Sequence, residues 1–465
     1  MKTLQLVASA FIVVAGAYFR FEGVERSLWL DEAWVANSLL EPSLSEMFFY
    51  DKWLQTTPPG FLVLARLSIQ LWGLQNMVFR LVPYICSVWA LIATWLALKN
   101  FIPSRRFFIL PVALAAFAFA PLNVEYARNL KQYSSDVAVA ATLLYLAQSR
   151  RSWLTWALPV APFFSYPAVF LIPGLIFLAP RKALTIAASL ASFLFLHLVF
   201  IQPNQSAALR AHWAFEYHSV NQIKRLLSKS AILFYLSLPC LLLVRRRLRM
   251  LFSLVLAPIL LAAAAEMLDL YPLTGRTAMF LLPSLTLALG GSIWAGLIRF
   301  RYGANWVLVP ACLLVAIASI RVLDPPAPVE RLDEAMIEIY SRYQTDDSIY
   351  VHSTVAEGFR LYSKALNFRP ARVLWGSTGS PCCPRNLPPQ QVNDPIRLRS
   401  DMKRLFPHRP LGRVWVFWTN RAEHWRVTGY DERLMIEGFL EKEGCTKKPT
   451  LPLESVGVLL FACGV

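Results

Sequence analysis

Long apolar runs separated by short polar stretches dominate the chain down to about residue 323, and beyond that point the pattern changes. Runs of roughly 17–25 apolar residues are long enough to cross a bilayer as helices. They predict about eleven spans, near 4–20, 81–98, 107–122, 137–148, 152–163, 165–179, 183–201, 230–244, 251–268, 277–298 and 304–322. The runs between 152 and 179 are short and rich in proline, so they read as two spans or as one long broken helix. The segment "GFLVLARLSIQLWG" (60–73) reads as an amphipathic helix lying on the outer membrane surface. The first run, 4–19, contains "VAGA" and reads as a span or as a signal peptide.

After residue 323 the sequence is charged, proline-rich and mixed. "DSIYVHS" (347–353), "GRVWVFW" (412–418) and "SVGVLLFACG" (455–464) read as strands. "TVAEGFRLYSKAL" (354–366) and "DERLMIEGFLEKEG" (431–444) read as helices. The expected fold class is a polytopic α-helical membrane protein, residues 1–323, with a small C-terminal α/β soluble domain, residues 324–465, on the outer side.

Composition agrees. Of 465 residues 56% are hydrophobic and 16% charged, against about 25% charged in an ordinary soluble domain. The net charge of +17 would point to nucleic acid in a soluble protein. Here the basic clusters "KNFIPSRR" (99–106), "SRR" (149–151), "RK" (181–182), "RRRLR" (245–249) and "RFR" (299–301) each sit at the end of an apolar run. That is positive-inside topology, with basic loops held at an anionic inner leaflet and no nucleic-acid partner.

With this parity four polar stretches share the outer side: "SLWLDEAW" (27–34), "TTPPGF" (56–61), "EYARNLKQYSSD" (125–136) and "YPLTGR" (271–276). The long loop 202–229, with "RAHWAFEYH", joins them. Charges near membrane depth cost about 2.5–3.5 kcal/mol each and tend to be functional. Asp31 and Glu32 offer a carboxylate that accepts a proton or binds a metal; Asp31 reads equally well as the cap of a helix "EAWVANSLL". Arg128 and Lys131, three apart, fall on one helical face and suit a phosphate, or form an interfacial collar. Arg276 stands directly ahead of a span, as an anchor or a site residue. "TTPPG" makes a rigid turn or a plain helix start. Taken together, a base, cations and a membrane cleft suit displacement of a lipid phosphate from an activated sugar, through an oxocarbenium-like transition state.

These residues resemble the GT-C class of membrane glycosyltransferases, in the bacterial branch related to protein O-mannosyltransferases and the lipid A aminoarabinose transferase. The matching positions are Asp31 and Glu32; Pro58, Pro59 and Gly60; Arg80 and Pro83; Tyr126, Arg128 and Tyr133; and Tyr271, Pro272, Gly275 and Arg276. The match covers roughly residues 1–320 and lies in motif order and spacing, no single motif being specific. The resemblance implies an inverting hexosyl- or pentosyltransferase that uses a polyprenyl-phosphate sugar and a lipid, glycan or protein acceptor. It implies a bacterial inner membrane, with the site on the periplasmic side. It makes Asp31 the catalytic base or organiser of the acceptor, Glu32 its support or a metal ligand, and Asp136 a second carboxylate of the site. Arg128, Lys131 and Arg276 would hold the donor phosphate, and Tyr126, Tyr133 and Tyr271 would bind substrate. Some relatives bind a divalent metal. This chain has six histidines and no HExxH spacing, and His212 and His218 are six apart, so no cofactor is assigned and a metal is left open.

Cys86, Cys240 and Cys312 lie in apolar runs, whereas Cys382, Cys383, Cys445 and Cys463 fall in the expected outer domain, facing an oxidising compartment. Adjacent Cys382 and Cys383 do not bond each other without strain, so each reads as a partner of Cys445 or Cys463 or as a free thiol. A transporter or lipid flippase is the alternative. It predicts internal repeats and mid-span charges, and the sequence has no repeat and only Glu266 and Asp269, near one span end, as candidates. A non-catalytic subunit of the same fold is a third reading.

Overall fold

The computed structural model describes residues 2–50, 56–102, 108–205, 252–273, 275–299, 330–352, 355–376, 399–400, 402–403, 412–419, 432–451 and 456–464. The expected spans 230–244 and 304–322, the cluster 245–249 and most of the loop 202–229, with His212 and His218, lie outside the described residues, as do Cys240, Cys312, Cys382 and Cys383.

The helices run α1 Lys2–Phe21, α2 Leu30–Leu39, α3 Leu44–Phe48, α4 Pro59–Trp72, α5 Asn76–Phe79, α6 Leu81–Phe101, α7 Ile109–Ala118, α8 Pro121–Ala127, α9 Tyr133–Ser149, α10 Arg151–Val160, α11 Ile172–Ile176, α12 Lys182–Leu196, α13 Ala257–Met267 and α14 Leu282–Arg299. Among the described residues, Thr3–Phe21, Leu81–Phe101 and Lys182–Asn204 are long and apolar enough to cross a bilayer, and α7 with α8, bent by 51°, makes a fourth such unit. Other expected runs are shorter apolar helices, at Pro59–Trp72, Ser253–Met267 and Met279–Trp294. The stretch 152–179 is broken, as its prolines require: α10 gives way to 3-10 turns at Ala161–Phe163 and Tyr166–Phe170 before α11.

The first helix belongs to the bundle. Leu4, Val7, Phe11, Val14 and Tyr18 form an exposed stripe at helical spacing, with Phe11 72% exposed. Its opposite face buries Ser9 and Arg20. Apolar outside and polar inside is the pattern of a helix that faces lipid. Arg20 donates to Ser87 Oγ at 2.8 Å and to the carbonyl of Ala118 at 2.7 Å, at the α7–α8 bend. Pro121 brings no N–H to the carbonyl of Phe117, and Asn123 Nδ2 donates to it instead, at 3.1 Å. α6 packs on α9: Trp89 Nε1 donates to Thr142 Oγ1 at 2.9 Å, and Cys86 lies against Ser135. The surface helix expected at 60–73 is α4. It buries Phe61, Leu62, Ala65 and Ile69 and exposes Leu64, Leu67, Leu71 and Trp72.

The C-terminal part holds α15 Leu332–Arg342, α16 Ala356–Ala365 and α17 Glu432–Lys442 around five strands, β1 Ser348–Val351, β2 Arg372–Trp375, β3 Gly412–Thr419, β4 Thr446–Lys448 and β5 Val456–Cys463. The strand order is β2-β1-β3-β5-β4. β1 runs parallel to β2 and β3, and β5 antiparallel to β3 and β4. Alternate residues of β3 go to opposite faces. Val414, Val416 and Trp418 pack with Ile436 and Leu440 of α17. Trp415 and Phe417 join an apolar core shared with Leu28, Ala33, Val35 and Phe61 of the membrane sequence. The sheet is therefore fused to the helices by a common core. The expected pairing of Cys382 or Cys383 with Cys445 or Cys463 is corrected: Cys445 and Cys463 bond each other, in the register that adjoining β4 and β5 set.

Candidate active site

The four polar stretches meet at one end of the bundle. Trp29 Nε1 donates to Asn129 Oδ1 at 3.3 Å, and Thr57 Oγ1 lies 3.5 Å from Gln132 Oε1. Asp31 Oδ2 lies 4.0 Å from Arg276 Nη1. The basic helix ends, Lys99 of α6 and Arg150 after α9, are at the far ends of helices that start here, about 1.5 Å per residue away.

α2 presents its two acids differently. Consecutive helical residues point about 100° apart. Glu32 turns inward and is fully buried. Arg80 grips it with two parallel bonds, Nε to Oε1 at 2.8 Å and Nη2 to Oε2 at 2.6 Å, and the amide of Leu130 donates to Oε1 at 2.6 Å. Arg80 also donates to the carbonyls of Val24 and Ser27, each at 2.9 Å, and of Arg26. One buried ion pair thus ties α2, the 24–27 loop, the start of α6 and the turn after α8. The cap expected of Asp31 is not formed: Trp29 is the N-cap, and Glu32 reaches back to its amide at 3.4 Å.

Asp31 turns outward, 20% exposed, toward Arg276, 27% exposed. At 4.0 Å the pair attracts but is not hydrogen-bonded. Lys131 completes the cluster. Its ammonium sits 5.0 Å from the centre of the Trp34 ring and senses Asp31, Arg276 and Glu32. Burial pushes Lys131 below the ordinary lysine value, Asp31 pulls it back up and Arg276 pushes it down.

The turn that carries Arg276 is built by its own chain. Tyr271 packs on Phe170 and Phe280, with ring centres 5.0 Å and 6.4 Å away, and its hydroxyl donates to the carbonyl of Thr277 at 2.9 Å. Thr277 Oγ1 donates to the carbonyl of Pro272, and the amide of Leu273 donates to Glu266. Tyr126 is within electrostatic reach of Arg276 and Asp31, and Tyr133 stands edge-on to it at 4.8 Å. Gly60, of the Pro-Pro-Gly turn, is required by packing: a Cβ there would lie 2.8 Å from the carbonyl oxygen of Phe163 and 2.7 Å from the Phe164 ring.

Two expected members stand apart. Arg128 is buried and donates to the carbonyl of Phe19 at 2.7 Å, so it fastens the turn to α1. Asp136 is buried in the first turn of α9, near Ser165 and Cys86, and its Oδ1 has no hydrogen-bond partner among the described residues.

No group of three or more His, Cys, Asp and Glu among the described residues is placed to hold a metal. The donor set fits one poorly, because both Glu32 oxygens are taken by protein donors and Asp31 faces cations. A cavity of about 210 Å³ lies behind the Glu32–Arg80 pair, against Asn129 and Asp333, and Asp31 and Arg276 do not line it. Sequence reasoning placed Arg80 in the Arg80–Pro83 motif of the resemblance without giving it a partner, and named neither Trp34 nor any residue of 330–362 as part of the site. The signals for Arg80 were that motif and a charge directly before a span.

No protein-family model and no curated protein sequence matches the chain. Among solved structures, ArnT from Cupriavidus metallidurans bound to undecaprenyl phosphate superposes with a TM-score of 0.56 at 14% identity, over 99% of this chain and 98% of that one. The Archaeoglobus fulgidus oligosaccharyltransferase tethered with an acceptor peptide superposes with a TM-score of 0.54 at 10% identity, over 97% of this chain and 74% of that one. The fold is that of the GT-C membrane glycosyltransferases. Within this GT-C frame the Asp31–Arg276 cluster sits where helix ends, loops and the C-terminal sheet converge.

Proposed function

We propose that the chain transfers a sugar from a polyprenyl-phosphate donor to an acceptor, with inversion, on the periplasmic face of a bacterial inner membrane. The observation that carries this reading is the Asp31 carboxylate 4.0 Å from the Arg276 guanidinium, with Lys131 beside them, at one end of a lipid-facing bundle. ArnT of the same fold is bound to undecaprenyl phosphate, which supports a lipid-linked donor, and the archaeal oligosaccharyltransferase is tethered with an acceptor peptide. The membrane part is read as residues 1–323 and the outer domain as 324–465.

The donor phosphate replaces Asp31 as the partner of Arg276, which leaves the carboxylate to the acceptor. Asp31 takes the proton of an acceptor O–H or N–H as that atom bonds to the anomeric carbon. The bond from that carbon to the phosphate oxygen breaks, and its electron pair stays on the phosphate. Arg276 and Lys131 hold the developing charge, and the proton passes from Asp31 to water. Glu32 positions Asp31 through Arg80. Tyr126 and Tyr133 line the approach, and Tyr271 holds the turn of Arg276. Arg128 and Asp136 are assigned structural roles, and no step uses a metal.

The test is incubation of the purified chain in lipid with a polyprenyl-phosphate sugar and a mixture of envelope acceptors. Release of free polyprenyl phosphate with labelled acceptor supports the reading. Movement of intact donor between leaflets, with its sugar–phosphate bond unbroken, contradicts it and favours a flippase.

A further inference from the structure

We infer that the C-terminal part, through Glu330 and Tyr362, positions the first turn of α2 and hence Asp31. The inference rests on the proposed transfer only for its effect on rate.

The N-terminus of a helix leaves its first amides without partners inside the helix. Here two amides around the start of α2 find partners roughly 300 residues away in sequence, in the C-terminal part. Leu30 N–H donates to Glu330 Oε2 at 2.9 Å, and Leu28 N–H donates to Tyr362 Oη at 2.8 Å. Both acceptor side chains are buried, Glu330 at 2% and Tyr362 at 7% exposure. A carboxylate at a helix N-terminus also meets the positive end of the helix dipole. Tyr362 in turn donates to Asn76 Oδ1 at 3.1 Å and lies 3.2 Å from Ser27 Oγ. The same hydroxyl of Ser27 accepts from the amide of Asp333 at 3.2 Å.

The other end of α2 is held as well. Asn37 Nδ2 donates to the carbonyl and to Oε2 of Glu357, both at 2.8 Å, and Tyr50 donates to the same Oε2 at 3.0 Å. α2 is therefore gripped at both ends by α16 and by the residues that lead into α15. Asp31 is the residue next to the Leu30 amide, so freedom at that amide becomes freedom of its carboxylate. A misplacement of about 1 Å costs on the order of a hundredfold in rate. Glu330 and Tyr362 touch neither reacting group and are positioning residues.

The experiment is hydrogen exchange of the full chain in lipid, read over residues 27–36, alongside transfer from a polyprenyl-phosphate sugar. The variants are Tyr362→Phe, Glu330→Ala and Glu330→Gln. Tyr362→Phe removes one oxygen and Glu330→Gln keeps an acceptor of the same shape, so both retain the fold. Tyr362→Phe and Glu330→Ala are expected to speed exchange over 27–36 about tenfold while α6 and α9 stay unchanged. The rate at saturating donor falls about tenfold with half-saturation unchanged, and Glu330→Gln recovers most of both. Unchanged exchange over 27–36 in Tyr362→Phe and Glu330→Ala overturns the inference, whether or not transfer is seen. Absence of transfer in the wild-type chain overturns the proposed reaction instead, and exchange still decides the clamp.

Discussion

Asp31 and Arg276 come from opposite ends of the membrane sequence, yet the carboxylate of one lies 4.0 Å from the guanidinium of the other. Their neighbours Glu32 and Arg80 make a much tighter pair, fully enclosed and hydrogen-bonded at 2.6 Å. The contrast sorts the four charges. The inner pair holds the structure together. The outer pair is partly exposed and not hydrogen-bonded, and in the proposed reaction Arg276 exchanges Asp31 for the donor phosphate.

Arg276 is expected to act on the lipid donor. A charge-assisted hydrogen bond contributes about 1.5–3 kcal/mol, which corresponds to about ten- to a hundredfold in affinity. Arg276→Ala raises the donor concentration for half-maximal transfer by about that factor, and Arg276→Lys keeps part of it. Transfer measured across donor concentrations checks this, and an unchanged half-saturation removes Arg276 from the phosphate site.

Lys131 predicts an alkaline limit. Burial lowers its proton affinity, so its ammonium is lost as pH rises through a range below the ordinary lysine value of 10.5. Donor half-saturation rises across that range. Lys131→Arg carries its charge to higher pH and moves the limb up. Profiles for the two proteins that superimpose on the alkaline side contradict the assignment.

Glu32 is expected to matter for folding first. Truncating it leaves Arg80 buried without its carboxylate, and breaking a buried pair from one side costs about 3–5 kcal/mol. Glu32→Ala lowers the thermal unfolding midpoint in detergent, and an unchanged midpoint shows that the pair is not structural.

The C-terminal sheet carries its own acid sensitivity. Burial pushes Asp347 up, but bonds from Arg413 at 2.7 Å and from Trp415 Nε1 at 2.8 Å, with the amide of Gln344, outweigh it and hold the carboxyl below the ordinary value of 3.8. A depressed carboxyl contributes stability that is whole above the unfolded value and fades as pH falls through the folded one. Emission from the buried Trp415 therefore reports loss of the sheet in acid below about pH 4. Asp347→Asn removes that part of the pH dependence and lowers stability at neutral pH; a variant with the wild-type acid profile contradicts it.

Much of this was legible along the chain where the signal is local. β1, β3 and β5 follow from short, largely buried apolar runs, while β2 escaped because its ends, Arg372 and Trp375, are exposed, and β4, Thr446–Lys448, because it is three residues long and exposed throughout. The approach of Asp31 to Arg276 agrees with placing both loops on one side, while the span count behind that placement includes 230–244, outside the described residues. Grouping Arg128 with Lys131 failed because it assumed a helix. α8 ends at Ala127 and α9 starts at Tyr133, and the turn between sends one cation to Phe19 and the other to Trp34. The partners of Glu32 and of the α2 amides are tertiary, and no spacing rule reaches from Leu30 to Glu330.

The most direct test of the account is Asp31→Asn, which keeps shape and removes the proton acceptor. Turnover is expected to fall by about 10²–10⁴-fold while polyprenyl phosphate still binds and the unfolding midpoint holds. Near-normal turnover in that variant contradicts the assignment of Asp31 as the base.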